Sequence, residues 1–188
     1  MAIKRKSRAI RPTRKRSAPI VYTIGHSSRS FQELLDLLRT HGVAQLIDVR
    51  TIPRSRHNPQ FNREVFGKAL RNRRIGYRHM KALGGLRRAN SHSINTGWRN
   101  ASFRGYADYM QTPAFETALT QLIEYAERKP TAIMCAEAVP WRCHRSLIAD
   151  ALIVRGFEAR DIIQGAVAKL HRLNPMARVK HQKIVYPG

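Results

Sequence analysis

The sequence predicts an α/β fold: an open, mainly parallel β-sheet with helices on both faces, in a Rossmann-like or rhodanese-like three-layer arrangement. Two observations lead to it. Short apolar runs suited to buried strands alternate with longer segments whose apolar residues recur at helical spacing. A helix between two strands carries the chain back along the sheet, so the two strands run parallel, and such crossovers are right-handed. With 188 residues in the chain, we expect residues 19–188 to form a single domain.

The first half of the chain begins with a β-rich run at Ile20–Gly25. Ser30 and Glu33 form a capping-box pattern, which predicts a helix that Gly42 ends. Apolar spacing predicts three more elements: strand Gln45–Val49, a helix from Asn62 to about Arg73 with Val65, Phe66, Ala69 and Leu70 inward, and a short strand Gly76–Met80.

The second half begins with residues 84–104, which are rich in Gly, Asn, Ser and Arg and show no period, so we predict a long loop of the kind that is often functional or mobile. Thr112-Pro113 is typical of a helix start. Four later features complete the prediction: a central strand Thr131–Ala136, a helix from about Arg142 to Arg155, a strand Phe157–Ile163, and a polar remainder with one short strand at most.

The charge of the chain indicates a polyanionic partner. Thirty-five Lys and Arg against twelve Asp and Glu give +23, and residues 1–18, which we expect to be a disordered tail, contain eight of these cations. The remaining +15 favours nucleic acid or a nucleotide-like polyanion through counterion release. Candidate nucleic-acid contacts are Arg14, Lys15 and Arg16 in the tail, and Trp98, Arg99, Arg104 and Tyr106, where aromatic and cationic side chains interleave.

Composition also bears on the compartment. No segment is long and apolar enough to cross a membrane, so we expect no membrane association. The two cysteines do not make a disulfide scaffold, and the reducing cytoplasm is the expected location.

Three polar clusters follow predicted strands: residues 25–29, residues 48–56, and the stretch after Met134. In open α/β sheets, ligands bind beyond the carboxyl ends of the strands, so we expect the clusters to form one site. In the first cluster, Gly25 permits a tight turn, the amides around Ser27 suit an anion, and His26 is a candidate acid or base.

The second cluster places Asp48 and Arg50 on the same side of a strand. Such a pair is either a structural ion pair or part of a site, and both interpretations stay open. Arg54 follows Pro53 in a stiffened loop and suits a phosphate group.

The third cluster contains both cysteines. Seven residues separate Cys135 from Cys143, which is not the spacing of a structural zinc site or of a redox Cys-x-x-Cys pair. A catalytic metal bound by Cys143, His144 and His26 stays open, although nothing in the sequence requires it. Cys135 is a candidate thiolate nucleophile, because arginines and a helix start lower a thiol pKa. Helical phasing makes Cys143 a candidate core residue.

Glu137 follows the same strand and could be a general base with a raised pKa. The alternative is a salt bridge to Arg142 or Arg145.

Five segments resemble the domain-of-unknown-function 488 family in order and spacing, from about Val21 to Ile163: TIGHSSRSF, LIDVRTIPRSRHNPQFN, YRHMKALGG, FRGYADYM and MCAEAVPWRCHRSLIADAL. The resemblance implies a single α/β domain and no assigned activity. The positions that it marks are Gly25-His26-Ser27, Asp48-Val49-Arg50, Pro53, Ser55, Gly84-Gly85, Cys135, Glu137 and Cys143-His144-Arg145.

We therefore expect a basic enzyme that acts on a nucleic acid or nucleotide-like, phosphate-bearing substrate by acid/base hydrolysis or group transfer. The catalytic candidates are His26, Asp48, Cys135, Glu137, Cys143 and His144. The substrate-binding candidates are Gly25, Ser27, Arg50, Arg54, Arg142 and Arg145. The alternatives are a non-catalytic nucleic-acid-binding module and a thiolate enzyme, sulfurtransferase- or phosphatase-like, that uses Cys135. No cofactor and no metal ligand is assigned.

Overall fold

The computed structural model describes residues 18–188, and the tail candidates Arg14, Lys15 and Arg16 lie outside the described residues. The α/β prediction is confirmed: a six-stranded, mainly parallel sheet is covered by helices on both faces.

The sheet has the strand order β3-β2-β4-β1-β5-β6. Its strands are β1 (Ile20–Gly25), β2 (Gln45–Asp48), β3 (Gly76–His79), β4 (Thr131–Cys135), β5 (Glu158–Ile162) and β6 (Lys169–Leu170). All neighbours pair in parallel except β6, which is antiparallel to β5. The register aligns Gly25 with Cys135 and Asp48 with Met134, so β1, β4 and β2 end side by side at one edge.

Two apolar cores lie on the two faces of this sheet. Helices α1 (Phe31–Thr40) and α2 (Arg63–Asn72) pack on one face, through residues such as Leu34 and Phe66. Helices α3 (Ala101–Tyr109), α4 (Pro113–Arg128) and α5 (Arg145–Val154) pack on the other, through residues such as Tyr106, Leu119 and Leu147. This is the three-layer arrangement.

Local signals predict two helix starts correctly. At α1 the Ser30 Oγ accepts from the Glu33 amide (3.2 Å) and the Glu33 carboxylate accepts from the Ser30 amide (2.6 Å), which is the predicted capping box. At α4 the Thr112 hydroxyl accepts from the Phe115 amide, with Pro113 at the first helical position.

Two predicted boundaries are wrong. The loop predicted over residues 84–104 ends at Asn100, whose side chain accepts from the amides of Ser102 and Phe103 and begins α3. The helix predicted from Arg142 begins at Arg145, because Pro140–Arg142 forms a separate 3₁₀ turn and Cys143 is extended.

Two further expectations need correction. Val65 is 59% exposed, because α2 turns Phe66, Gly67 and Leu70 inward instead. The polar remainder contains three strands, not one at most: β6 and a hairpin of β7 (Arg178–Lys180) and β8 (Lys183–Val185). Strands of only two or three residues carry little apolar periodicity, so their pattern is hard to detect.

None of the helices within residues 18–188 has the length and apolar character needed to cross a membrane.

Candidate functional site

A cleft of about 740 Å³ opens at the carboxyl edge of the sheet, where β1, β2 and β4 end. Four segments line it: residues 26–28 after β1, residues from 50 to 58 after β2, residues 85–86 with the start of α3, and residues from 135 to 144 after β4. The three polar clusters predicted to converge therefore do so. Parallel strands of matched length bring the loops that follow them to one edge.

The loop after β1 lies directly against the loop after β4. The His26 amide donates to the Cys135 carbonyl (3.0 Å) and the Ser27 amide to the Ala136 carbonyl (2.8 Å). A β-carbon on Gly25 would overlap with the carbonyl oxygen of Glu137, so only glycine permits this approach. Ser27 has a left-handed backbone (φ 46°) at the cleft wall. The amides of His26 and Ser27 are thus occupied and cannot bind the expected anion.

Asp48 and Arg50 form the buried ion pair that was one of the two interpretations. The Arg50 Nε and Nη2 donate to the two Asp48 carboxylate oxygens at 2.9 and 2.6 Å. The Tyr77 hydroxyl donates to the same carboxylate (2.7 Å), and Arg50 also donates to the Phe61 carbonyl (2.8 Å). Asp48 is fully buried and does not line the cleft, whereas Arg50 does. Asp48 therefore orients Arg50 and is not placed to touch a substrate.

Burial opposes the charge of the Arg50 guanidinium, but the hydrogen bonds and charge of Asp48 outweigh it and raise the pKa of Arg50. Burial, with the neighbouring Asp48 carboxylate, raises the pKa of Tyr77. Arg50 is therefore held as a guanidinium, and Tyr77 is a neutral hydroxyl donor.

His26 is a neutral imidazole with both ring nitrogens engaged. Its Nδ1 lies 2.9 Å from the Ser27 carbonyl, which can only accept, so Nδ1 carries the proton. Its Nε2 then accepts from the Arg50 Nη1 at 3.2 Å. Burial is the main cause that lowers the pKa of His26, and the positive charge of Arg50 lowers it further. His26 stacks on Phe61 with ring centroids 4.4 Å apart. These contacts fix the Arg50 guanidinium at the cleft wall.

The two cysteines and His144 meet at the base of the cleft. The His144 Nδ1 lies 3.9 Å from the Cys135 Sγ and 3.7 Å from the Cys143 Sγ. Its Nε2 lies 3.1 Å from the Val49 carbonyl and must donate to it, so in the neutral ring the lone pair is on Nδ1, which faces the thiols. Both cysteines belong to the apolar core, and both also border the cleft. The predicted burial of Cys143 is confirmed, but its helical phasing is not the cause, because Cys143 is extended and precedes the helix.

The two thiols are not equivalent. A hydrogen bond to Cys143, together with burial, raises the pKa of the Cys135 thiol. That same hydrogen bond from Cys135, with the nearby His144 and Arg145, lowers the pKa of the Cys143 thiol. The contacts with His144 and Arg145 favour the ionised form of Cys143, whereas the sequence named Cys135 as the candidate nucleophile.

Gly85, from the loop before α3, and Tyr106, on α3, fix His144 in place. A β-carbon on Gly85 would overlap with the His144 ring, so glycine is required there. The Tyr106 ring packs against His144 with centroids 4.9 Å apart, and its hydroxyl donates to the Leu83 carbonyl. Because Tyr106 is fully buried, it cannot stack on a nucleobase, and that prediction is corrected.

Glu137 and Arg142 are exposed on one wall of the cleft, and Arg54 is exposed on another. Within residues 18–188 the Glu137 carboxylate takes part in no salt bridge. The alternative interpretation, a salt bridge to Arg142 or Arg145, is therefore not what the structure shows. Arg145 donates to the main chain of this loop instead. Its Nη1 lies 2.6 Å from the Glu137 carbonyl, and its Nη2 lies 3.0 Å from the Ala138 carbonyl. Arg145 is buried and outside the cleft lining, so it shapes the loop and does not face a substrate.

The other aromatic candidate also packs inward. Trp98 is half-buried, stacks on Phe103 with centroids 4.7 Å apart and contacts Tyr186. Arg99 is exposed and Arg104 half-buried, so the cations of this region face solvent more than its aromatic rings do.

Several cleft residues were not named individually from the sequence: Thr51 and Ile52, which lie inside the predicted cluster 48–56, and Asn58, Leu86 and Ser102. Ile52 and Leu86 are 62% and 72% exposed, and large apolar side chains at a rim are the one signal that could have identified them. Phe103 reaches the cleft only because α3 begins there, which its residue type does not indicate.

A family model described as "Domain of unknown function DUF488" matches residues 30–152. No curated protein and no solved structure matches the chain.

Proposed function

The chain belongs to the DUF488 family, whose description assigns no activity, and we propose that it is an enzyme that acts on a nucleic acid or nucleotide-like, phosphate-bearing substrate by acid/base hydrolysis or group transfer. One observation carries the proposal. A single cleft combines exposed arginines, a carboxylate with no salt bridge to any described residue, and a thiol–imidazole cluster, at the edge of a parallel sheet where ligands of such folds bind.

The arginines of the cleft would bind the phosphate. Arg54 and Arg142 project from two different loops, and neither takes part in a salt bridge within the described residues. Guanidinium groups bind phosphate oxygens in pairs of hydrogen bonds. The buried Arg50 presents a fixed guanidinium at the cleft wall, with its charge balanced by Asp48, and the excess of cations over the whole chain attracts a polyanion from a distance.

The acid/base step would use Glu137. Its carboxylate lines the cleft on the same loop as Arg142, and its main chain is anchored by the Arg145 hydrogen bond. A carboxylate beside a phosphate site can accept the proton of an attacking water or hydroxyl group. His26 supports the step indirectly, through its hydrogen bond with Arg50.

A second candidate function uses Cys143 as a nucleophile in sulfurtransferase- or phosphatase-like chemistry. The lowered pKa of Cys143, beside the His144 Nδ1 at 3.7 Å, favours it. For either function we propose the cytoplasm as the compartment, because a reducing environment keeps two close thiols reduced.

Turnover of a panel of substrates tests these proposals: aryl phosphomonoesters, aryl phosphodiesters, and short single-stranded RNA and DNA. For Glu137→Gln we expect kcat/KM to fall by about 10²- to 10⁴-fold, the usual contribution of a general base. Glu124→Gln on the exposed face of α4 is the matched control and should turn over substrate like the wild type.

Each other outcome points elsewhere. Activity that survives Glu137→Gln but is abolished in Cys143→Ser would replace the acid/base proposal with the thiolate function. Salt-dependent binding of RNA or DNA without turnover of any substrate would make the chain a non-catalytic nucleic-acid-binding module.

A further inference from the structure

Cys135, Cys143 and His144 place three metal-ligating atoms within 4.8 Å of one another at the base of the cleft. We propose that these residues bind one divalent zinc ion as a Cys₂His site, with the fourth coordination position open to the cleft. The sequence left open a site that combined Cys143 and His144 with His26. The structure excludes His26 from this set, because its Nε2 already accepts from Arg50.

The spacing of the ligand atoms fits tetrahedral zinc. Zinc–sulfur bonds of about 2.3 Å and zinc–nitrogen bonds of about 2.0–2.1 Å at tetrahedral angles put sulfur and nitrogen about 3.6 Å apart. The His144 Nδ1 lies 3.7 Å from the Cys143 Sγ and 3.9 Å from the Cys135 Sγ. Both distances are within a few tenths of an ångström of that value, and the two sulfurs lie within 4.8 Å of one another, where tetrahedral zinc needs about 3.8 Å.

The imidazole is already oriented as a ligand. The His144 Nε2–H donates to the Val49 carbonyl (3.1 Å), which fixes the tautomer with its lone pair on Nδ1. Metal-binding histidines usually make such a bond through their second nitrogen. Gly85 and Tyr106 pack against the ring, and Cys135 ends the central strand β4, so the ligands come from rigid parts of the fold.

The charge of the proposed site suits its burial. Cys135 is 8% exposed and Cys143 3% exposed, and two thiolates with Zn²⁺ have no net charge. An uncompensated ion would be costly at this depth, whereas a neutral cluster is not. Thiolate and imidazole ligands select zinc over magnesium and calcium, which prefer oxygen.

All three ligand residues line the cleft, so the fourth position faces it. Three protein ligands and one open position are typical of catalytic zinc. Use of the ion to polarise a phosphoryl oxygen or to activate a water rests on the proposed function, but binding of the ion does not.

Metal binding by the full chain tests the site without reference to turnover. We expect about one zinc per chain as purified, measured by mass spectrometry of the metal. After removal of zinc by a chelator under reducing conditions, Co²⁺ should bind with the intense ligand-field bands of tetrahedral geometry and a near-ultraviolet thiolate-to-cobalt charge-transfer band.

Three variants and one control locate the ion. His144→Ala should weaken Co²⁺ binding by at least about tenfold, and Cys135→Ser and Cys143→Ser should each reduce the charge-transfer band. His92→Ala changes an exposed loop histidine and should bind Co²⁺ like the wild type. Circular dichroism checks that each variant is folded. For a variant that does not fold, alkylation of the wild-type thiols replaces it as the test and should abolish Co²⁺ binding.

Two results would overturn the proposal. One is a reduced wild type that binds no Co²⁺, or that binds it without a charge-transfer band. The other is a disulfide between Cys135 and Cys143 that forms reversibly in air, seen as a mass loss of two hydrogens per chain, with no metal uptake after reduction. That result would identify the cysteines as a redox pair. A protein that binds Co²⁺ as expected but turns over no substrate would contradict the proposed function and leave the metal site standing.

Discussion

Asp48 lies fully buried at the end of β2, and its carboxylate accepts from Arg50 and Tyr77. The same pair of residue types on a surface would contribute little to stability. Here the ion pair orients Arg50 toward the cleft, and Arg50 in turn donates to His26. This series of hydrogen bonds explains how a residue outside the cleft can affect the charge inside it.

Asp48→Asn should be strongly destabilising, because it leaves the Arg50 guanidinium buried without its counter-ion. We expect a decrease of about 3–5 kcal/mol in the free energy of unfolding, measured by urea denaturation at pH 7. Glu158→Gln removes the acid of the partly exposed pair with Arg160 and should cost less than about 1 kcal/mol. Similar decreases in the two variants would contradict the structural role given to Asp48.

Gly25 is a second residue whose role depends on its surroundings. Gly25→Ala would push a methyl group into the Glu137 carbonyl and separate the loops after β1 and β4. We expect a decrease of about 3 kcal/mol or more in the free energy of unfolding, the upper range for overpacking. Gly76→Ala on strand β3 places its β-carbon 3.3 Å from the Gln45 side chain and should be milder. Thermal denaturation of both variants decides the comparison.

The C-terminal segment, residues 169–188, packs apolar side chains such as Ile184 into the core and is also held by a network of polar contacts. His171 bridges Asp150 of α5 (3.2 Å) and Asp161 of β5 (2.9 Å). Tyr186, just after β8, donates to Asp150 (2.9 Å), and Thr23 donates to Asp161 (2.6 Å). Burial lowers the pKa of His171, but the hydrogen bonds to the two carboxylates outweigh it and raise the pKa to about 9.

This raised pKa predicts a stability that falls in alkali. The histidine is charged below its unfolded pKa of about 6.5, where its stabilisation is complete, and that stabilisation disappears as the pH rises through about 9. The shift corresponds to about 3 kcal/mol at most. We expect the difference in free energy of unfolding between wild type and His171→Gln to shrink from pH 6 to pH 10.

An exposed histidine provides the control for this profile. The difference between wild type and His92→Gln should stay near zero over the same pH range, because His92 is on the surface. If the difference in free energy of unfolding between wild type and His171→Gln does not change with pH, His171 is neutral in the folded protein and a charged histidine does not hold the segment.

The whole molecule presents a strong positive charge, and its distribution can be tested through salt. If Arg54 and Arg142 bind phosphates, replacing both with alanine should weaken binding of single-stranded RNA. It should also reduce the slope of log K against log salt concentration by about 1.4, since each phosphate that the variant no longer neutralises accounts for about 0.7.

Arg73 and Arg128 give the matched control, because they lie at the carboxyl ends of α2 and α4, at the opposite edge of the sheet. Their double alanine variant should keep the wild-type slope. Equal reductions in the two double variants would mean that RNA is attracted by overall charge and does not enter the cleft.

Much of this architecture could be predicted because its signals are local. The capping box at Ser30 and the Thr112-Pro113 start depend on residues three positions apart, and the strand cores depend on short apolar runs. The convergence of three loops followed from parallel topology alone. The boundaries that were wrong, at Asn100 and Arg145, involve a cap without a strong apolar stripe and a proline-induced 3₁₀ turn.

The sequence alone was thus enough to predict the sheet, the layers, the positive charge and the location of a cleft. It was not enough for the partners of each polar side chain. Val49 and His144 are 95 positions apart, and their hydrogen bond, which directs Nδ1 at two thiols, exists only because β2 and β4 are neighbours in register. Caps and periodicity act within a turn or two of chain, whereas such contacts depend on how separate elements pack, and packing is a property of the folded molecule.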